Sequence, residues 1–214
     1  MKLSLSMCGL AMAAFLPALS PASTLTWNFL NDVPTGSAGV DVGATHSFQD
    51  TQGDSTTISA SLGPAAEGMS LTLFEKNGGA SETGLGITQE SDHEINAGQG
   101  DVLLNLNEIL ALNPTFISIN LSSVQAGEAG FVSYGGTKDG FNVSNESANL
   151  LNLTDLAKYG GFLDVYATSG NVLVGAVTAG FASAVPEPAD GALVALGLIA
   201  AGCIGRRKLA NTRP

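Results

Sequence analysis

The residues best suited to chemistry lie in one short stretch, Glu90-Ser91-Asp92-His93-Glu94-Ile95-Asn96, with Asp101 close behind. Asp92, Glu94 and Asn96 alternate, so on an extended backbone their side chains share one face. Oxygen donors grouped this way suit Ca²⁺, which takes about six to eight oxygens, some of them from the backbone. The expected metal set is therefore Asp92, Glu94, Asn96 and Asp101, with Glu90 adding to the shell. The spacing does not match an EF-hand loop, and a solvated acidic loop is the competing reading. His93 sits between two of these acids, where an imidazole can move protons. A surface histidine is the simpler reading of it and of His46, the second histidine of the chain.

Signatures of other chemistries are missing from the sequence. There is no Gly-x-Ser-x-Gly elbow, no His-Glu-x-x-His pair and no phosphate-cradling loop. Many carboxylates offer pairs for glycoside hydrolysis, but abundance alone singles out none. All 19 acidic residues lie between Asp32 and Asp190, where Lys76, Lys138 and Lys158 are the basic residues, so this stretch has a formal charge of −16. Such a surface repels phosphate, which argues against nucleic acid as a partner. It fits cation binding or solubility in a crowded matrix. The two cysteines are Cys8 and Cys203, so the stretch between them has no internal disulfide. A non-enzymatic protein is expected.

These side chains must be positioned by strands. Leu25–Phe29, Ala44–Phe48, Thr56–Leu62, Met69–Phe74, Val102–Ile109, Phe116–Val124 and Gly130–Tyr134 carry alternating or β-branched character. Asn77-Gly78-Gly79 supplies a turn. Phe162–Ala167 and Val172–Val177 flank Thr168-Ser169-Gly170-Asn171, which reads as a hairpin. Leu150–Tyr159 reads as a short helix, started near Thr154-Asp155 and ended by Gly160-Gly161. In Phe116–Val124, Ile117, Ile119 and Leu121 should face a core while Ser118 and Asn120 face away. The pattern predicts an all-β chain, an antiparallel β-sandwich or jelly roll. No repeat of constant period favours a β-solenoid instead.

The two ends of the sequence read differently from the body. Lys2, the apolar Leu3–Leu19 and the small residues Ser20-Pro21-Ala22 have the order of a signal peptide cut after Ala22. At the other end, Pro186-Glu187-Pro188 is followed by an uncharged apolar run, Gly191–Gly205, and then Arg206-Arg207-Lys208. Proline breaks both helix and central strand. The apolar run is 15 residues, short of the roughly 20 that span a bilayer. The basic cluster is a stop for translocation under the positive-inside rule. A short span beside a proline break suits a processed handle, and a plain membrane anchor is the alternative.

This tail resembles the PEP-CTERM sorting signal of Gram-negative bacteria. The resemblance covers about thirty residues and implies recognition by exosortase, a membrane-embedded transpeptidase or protease, in systems linked to exopolysaccharide. It implies a sorting motif at Pro186, Glu187 and Pro188, a C-terminal transmembrane helix, and a basic stop at Arg206, Arg207 and Lys208. Asp190 at the mouth of the apolar run, and the six residues after Lys208, depart from many such tails. A second, looser resemblance covers Gly84-Leu85-Gly86-Ile87 through Leu106. In exoproteins of that family a similar strand leads through an acidic loop into an apolar strand; here Asn96 stands where an acid is usual. It implies a jelly-roll-like sandwich and no catalytic role.

The expected organisation is a signal peptide (1–22), a secreted β domain (23–184) and a sorting signal (185–214). The expected protein is exported across the inner membrane, held there transiently by its tail, and released to the outer surface or matrix, associated with exopolysaccharide. A carbohydrate-binding or weakly carbohydrate-active module is the alternative. Its discriminator is whether Trp27, Tyr134, Tyr159 and Tyr166 form an exposed row or pack inside.

Overall fold

The computed structural model describes residues 23–53, 55–63, 71–79, 81–88 and 92–182. The expected signal helix and C-terminal transmembrane helix, with Pro186–Pro188 and Arg206–Lys208, lie outside the described residues. Among the described residues no helix is long and apolar enough to cross a membrane.

The described chain is all-β, built from two sheets in which every pairing is antiparallel. The first sheet holds β1 (Thr24–Asn28), β2 (Gly39–Gly43), β5 (Leu73–Asn77), β6 (Thr83–Ile87), β7 (Ile95–Asn96), β9 (Phe116–Ser122), β12 (Asn149–Leu150) and β14 (Asn171–Gly180). Its main path runs β12-β9-β14-β6-β5-β2. The second sheet runs β11-β10-β13-β8-β4-β3. Its strands are β3 (Thr45–Gln49), β4 (Thr57–Leu62), β8 (Val102–Asn105), β10 (Ala129–Tyr134), β11 (Gly140–Val143) and β13 (Phe162–Ser169).

Alternation explains most of the packing. Ile117, Ile119 and Leu121 of β9 are buried in the core, as expected. They share one hydrophobic cluster with Leu163 and Val165 of β13, Leu104 of β8 and Trp27 of β1, so both sheets feed a single core. Ser118 is buried too, because β9 is paired on both edges, with Leu150 and Thr178 opposite it.

Strand β14 organises the first sheet. One edge pairs with β9 along most of its length. The other edge is shared in turn by β7 at Asn171 and Val172, β6 at Val174, and β1 from Ala176 to Gly180. The register with β9 shifts between Val174 and Ala176, so Val174 and Val177 both face the core although three residues apart. At Gly84 of β6 (φ +152°) a Cβ would run into the Val174 carbonyl oxygen, so glycine permits the close approach of these strands.

Three local expectations are corrected. The Ser169-Gly170-Asn171 turn does not close a hairpin. β13 pairs with β10 and β8 in the second sheet, and β14 belongs to the first. Gly170, at φ +63°, turns the chain from one sheet to the other. Turn chemistry encodes a reversal and leaves open which edge the next strand joins. The expected strand Val102–Ile109 ends at Asn105, whose side-chain oxygen accepts the Asn107 N–H at 3.0 Å and starts α1 (Asn107–Ala111). The strand expected at Met69–Phe74 is displaced to Leu73–Asn77, carrying Glu75 and Lys76 into the sheet; Met69 and Ser70 lie outside the described residues.

The second helix, α2 (Leu153–Lys158), begins one step earlier than its expected start. Asn152 is the N-cap, its Oδ1 accepting the N–H groups of Thr154 and Asp155 at 3.1 and 3.4 Å. Asn152→Ala is expected to cost about 1 kcal/mol, read as a lower denaturant midpoint with an unchanged slope. Asn152→Ser, which keeps an acceptor for these N–H groups without a charge beside Asp155, should lose much less.

Candidate functional site

The sequence-predicted oxygen cluster is divided among three settings. The backbone does not run extended from Asp92 to Asn96, because His93 adopts φ +57°. Asp92 braces this bend: its Oδ1 accepts the Glu94 N–H at 3.1 Å and Asn96 Nδ2 at 3.4 Å, and its Oδ2 accepts Asn171 Nδ2 at 3.0 Å. Asp92 and Asn96 are thus brought together and tied to β14. Glu94 is buried and pairs with Lys76 Nζ, which also contacts Glu82 Oε2 at 3.1 Å. Burial works to lower the Lys76 pKa, but the hydrogen bonds to Glu94 and Glu82 outweigh it and the net shift is upward. The His93 ring stacks on Phe74, centroids 4.1 Å apart. Glu90 lies outside the described residues.

Asp101 reaches a different partner. Both Asp101, just ahead of β8, and Asp164 of β13 are buried, and the two carboxyls are hydrogen-bonded. Burial, then the hydrogen bond and charge of Asp101, push the Asp164 carboxyl up to about 7. The pair therefore holds a proton between them near neutrality. Such direct contact is tighter than the roughly 5–5.5 Å separation of a retaining glycosidase pair. Gly63 leaves the room: a Cβ there would collide with the Asp101 carboxyl.

The aromatic residues do not form an exposed row. Trp27 is fully buried, its Nε1 donating to the Thr56 carbonyl at 3.1 Å. Tyr134 is buried with its hydroxyl accepting the Asn152 N–H at 2.8 Å. Tyr166 is half-buried against Phe131, centroids 5.4 Å apart.

A constellation that sequence reasoning missed lies where the two sheets meet beside β2 and β3. Asp32 sits in the β1–β2 connection, His46 on β3 and Glu75 on β5. His46 Nε2 is 3.1 Å from Asp32 Oδ2 and 3.9 Å from Glu75 Oε1. Glu75 Oε2 accepts the Asp32 N–H at 2.9 Å. One donor atom from each side chain lies within 4.8 Å of the other two, a convergence of three His and acidic groups that among the described residues occurs here. Glu75 shares the inward face of β5 with Leu73 and is fully buried. Its burial pushes its carboxyl above the ordinary range; the Asp32 N–H and His46 oppose this, and the Asp32 charge adds to it.

An open cleft of about 480 Å³ lies over these residues, lined by Asn31, Asp32, His46, Ser47, Gln49 and Asp50. The imidazole is held from behind. His46 packs edge-on against Phe48 at 4.7 Å, and Phe48 against Phe29 at 4.8 Å. The one sequence signal for this site was parity: an acid at a core-facing position two residues after Leu73. Comparison with family models, curated proteins and solved structures finds no match to this chain.

Proposed function

We propose that this chain is an exported, exosortase-sorted, non-enzymatic surface or matrix protein, associated with exopolysaccharide. The observation that carries the reading is the order of Pro186-Glu187-Pro188, the uncharged run Gly191–Gly205 and Arg206-Arg207-Lys208. In this reading the proline-flanked glutamate is the recognition element, the apolar run brings it to the membrane plane, and the basic cluster halts translocation. The two sheets form a jelly-roll-like sandwich that is the secreted cargo. The buried Trp27 supports a structural role for the aromatics over a sugar-stacking platform.

The roles are separable because they rest on different physics. Glu187→Ala is expected to block processing while the chain stays in the membrane fraction, since the apolar run is untouched. Neutralising Arg206, Arg207 and Lys208 together should instead weaken retention. The measurement is intact mass and gel mobility after fractionation, in hosts with and without the sorting enzyme. Processing of the Glu187 variant at the parental rate would overturn the sorting reading and leave a plain anchor.

A further inference from the structure

We propose that Asp32, His46 and Glu75 form a binding site for a divalent first-row transition metal ion, Zn²⁺ fitting best, that ties the two sheets together. The first support is geometric. Ligand atoms on a tetrahedral ion with bonds near 2.0–2.1 Å lie about 3.3 Å apart. The Nε2–Oδ2 and Nε2–Oε1 separations of 3.1 and 3.9 Å bracket that spacing, and the three donors lie within 4.8 Å of one another. Donors no more than 4.8 Å apart need to close by at most about 1.5 Å to meet on one ion.

The second support is an unsatisfied buried acceptor aimed into the cluster. Glu75 is fully buried, and its Oε2 is used by the Asp32 N–H. Its Oε1 faces His46 but has no hydrogen-bond partner. Leaving such an oxygen unpaired in a dry interior is unfavourable, and a bound ion is one of the usual resolutions. Asp50, which lines the same cleft, is also buried with Oδ2 unpartnered.

Donor chemistry selects the class of ion. One imidazole nitrogen and two carboxylates suit Zn²⁺, Mn²⁺ or Co²⁺. Ca²⁺ takes about six to eight oxygens and rarely a nitrogen, and this cluster offers far fewer. Asp32 and His46 border the cleft, so water from solvent can complete the coordination. His46 packs edge-on against Phe48, which packs on Phe29, so the imidazole has an aromatic wall on one side. Because Glu75 belongs to the first sheet and His46 to the second, the ion would link them at the margin of the core.

The test uses the full chain, stripped with chelator and titrated with ZnCl₂ by calorimetry. One equivalent should bind, raising Tm by about 5–10 °C at a hundredfold excess over Kd. His46→Ala and Glu75→Gln should each weaken binding by more than about tenfold. Glu75→Gln is isosteric and still accepts the Asp32 N–H, so it serves if the alanine variant fails to fold. The Co²⁺-loaded parent should show ligand-field absorption that His46→Ala abolishes. CaCl₂ should give no comparable rise in Tm. Absence of Zn²⁺ binding, parental affinity in both variants, or an equal response to Ca²⁺ would each overturn the proposal.

Discussion

Lys76→Met is expected to destabilise the protein by about 3–5 kcal/mol, the cost of leaving one member of a buried ion pair alone. The Lys76 and Glu94 side chains are only 13% and 3% exposed. Glu94 Oε2 has no hydrogen-bond partner, so the neutralisation of this carboxylate rests on the ammonium at its other oxygen. Methionine keeps the apolar stem that lies in the sheet and removes only the charge. Adding Glu94→Gln should recover most of the loss, since the uncompensated charge then disappears. The double-mutant cycle reads the coupling directly. Lys158→Met is the contrast: Lys158 and Asp139 are 60% and 58% exposed and 4.0 Å apart, so solvent screens the pair and its loss should cost far less. Equal costs at Lys76 and Lys158 would show that burial does not govern the Lys76 pair.

Asp164→Asn is expected to remove a pH dependence of stability that the parent shows between about pH 4 and 7. An aspartate in the unfolded chain ionises near 3.8, while the native Asp164 holds its proton to about 7. Below that window both states carry the proton and its contribution to stability is fully present. Inside the window only the native state carries it, so stability falls as pH rises, by up to about 1.4 kcal/mol per pH unit. Above about 7 both states are ionised and the slope ends. The full difference is on the order of 4 kcal/mol. Asparagine is neutral throughout and can still donate to Asp101. Unfolding curves of parent and variant at pH 4, 5.5, 7 and 8 isolate the contribution of the Asp101–Asp164 pair, because groups not coupled to it cancel in the difference. Parallel stability–pH curves would show that Asp101 and Asp164 do not share a proton.

Both results depend on residues whose importance is poorly legible in sequence. Lys76 and Glu75 follow Leu73-Phe74, and a run that turns charged reads as a strand ending. The strand instead continues to Asn77 because β2 and β6 pair with both its edges. Once it continues, parity alone sends Glu75 inward with Leu73 and Lys76 to the other face. Asp164 sits among Leu163, Val165 and other strand formers as an isolated acid. Only the pairing of β13 with β8, which sets Asp164 opposite Leu103, brings it near Asp101.

Local pattern sufficed for the class of fold and for many strands. The alternation of Ile117, Ile119 and Leu121 needs no partner to be recognised, since side chains on a strand point to opposite faces by covalent geometry. The Gly160-Gly161 stop of α2 is equally local: both glycines adopt positive φ. The loop around Asp92 was visible as acidic, yet its geometry was not. Whether Asp92, Glu94 and Asn96 share a face depends on one residue, His93, taking a left-handed conformation.

By itself the sequence determined an acidic all-β body, its alternating core rows, and flanking segments whose composition differs from the body. Those features rest on interactions within a few residues, where pleat, turn and charge are set by the chain's own chemistry. The tertiary structure alone decided that Ser169-Gly170-Asn171 passes between sheets, that Glu94 meets Lys76, and that Asp32, His46 and Glu75 converge. Each of these depends on which strand edges pair and where the register falls. Pairing joins residues dozens of positions apart, and a shift of one residue sends every side chain to the opposite face.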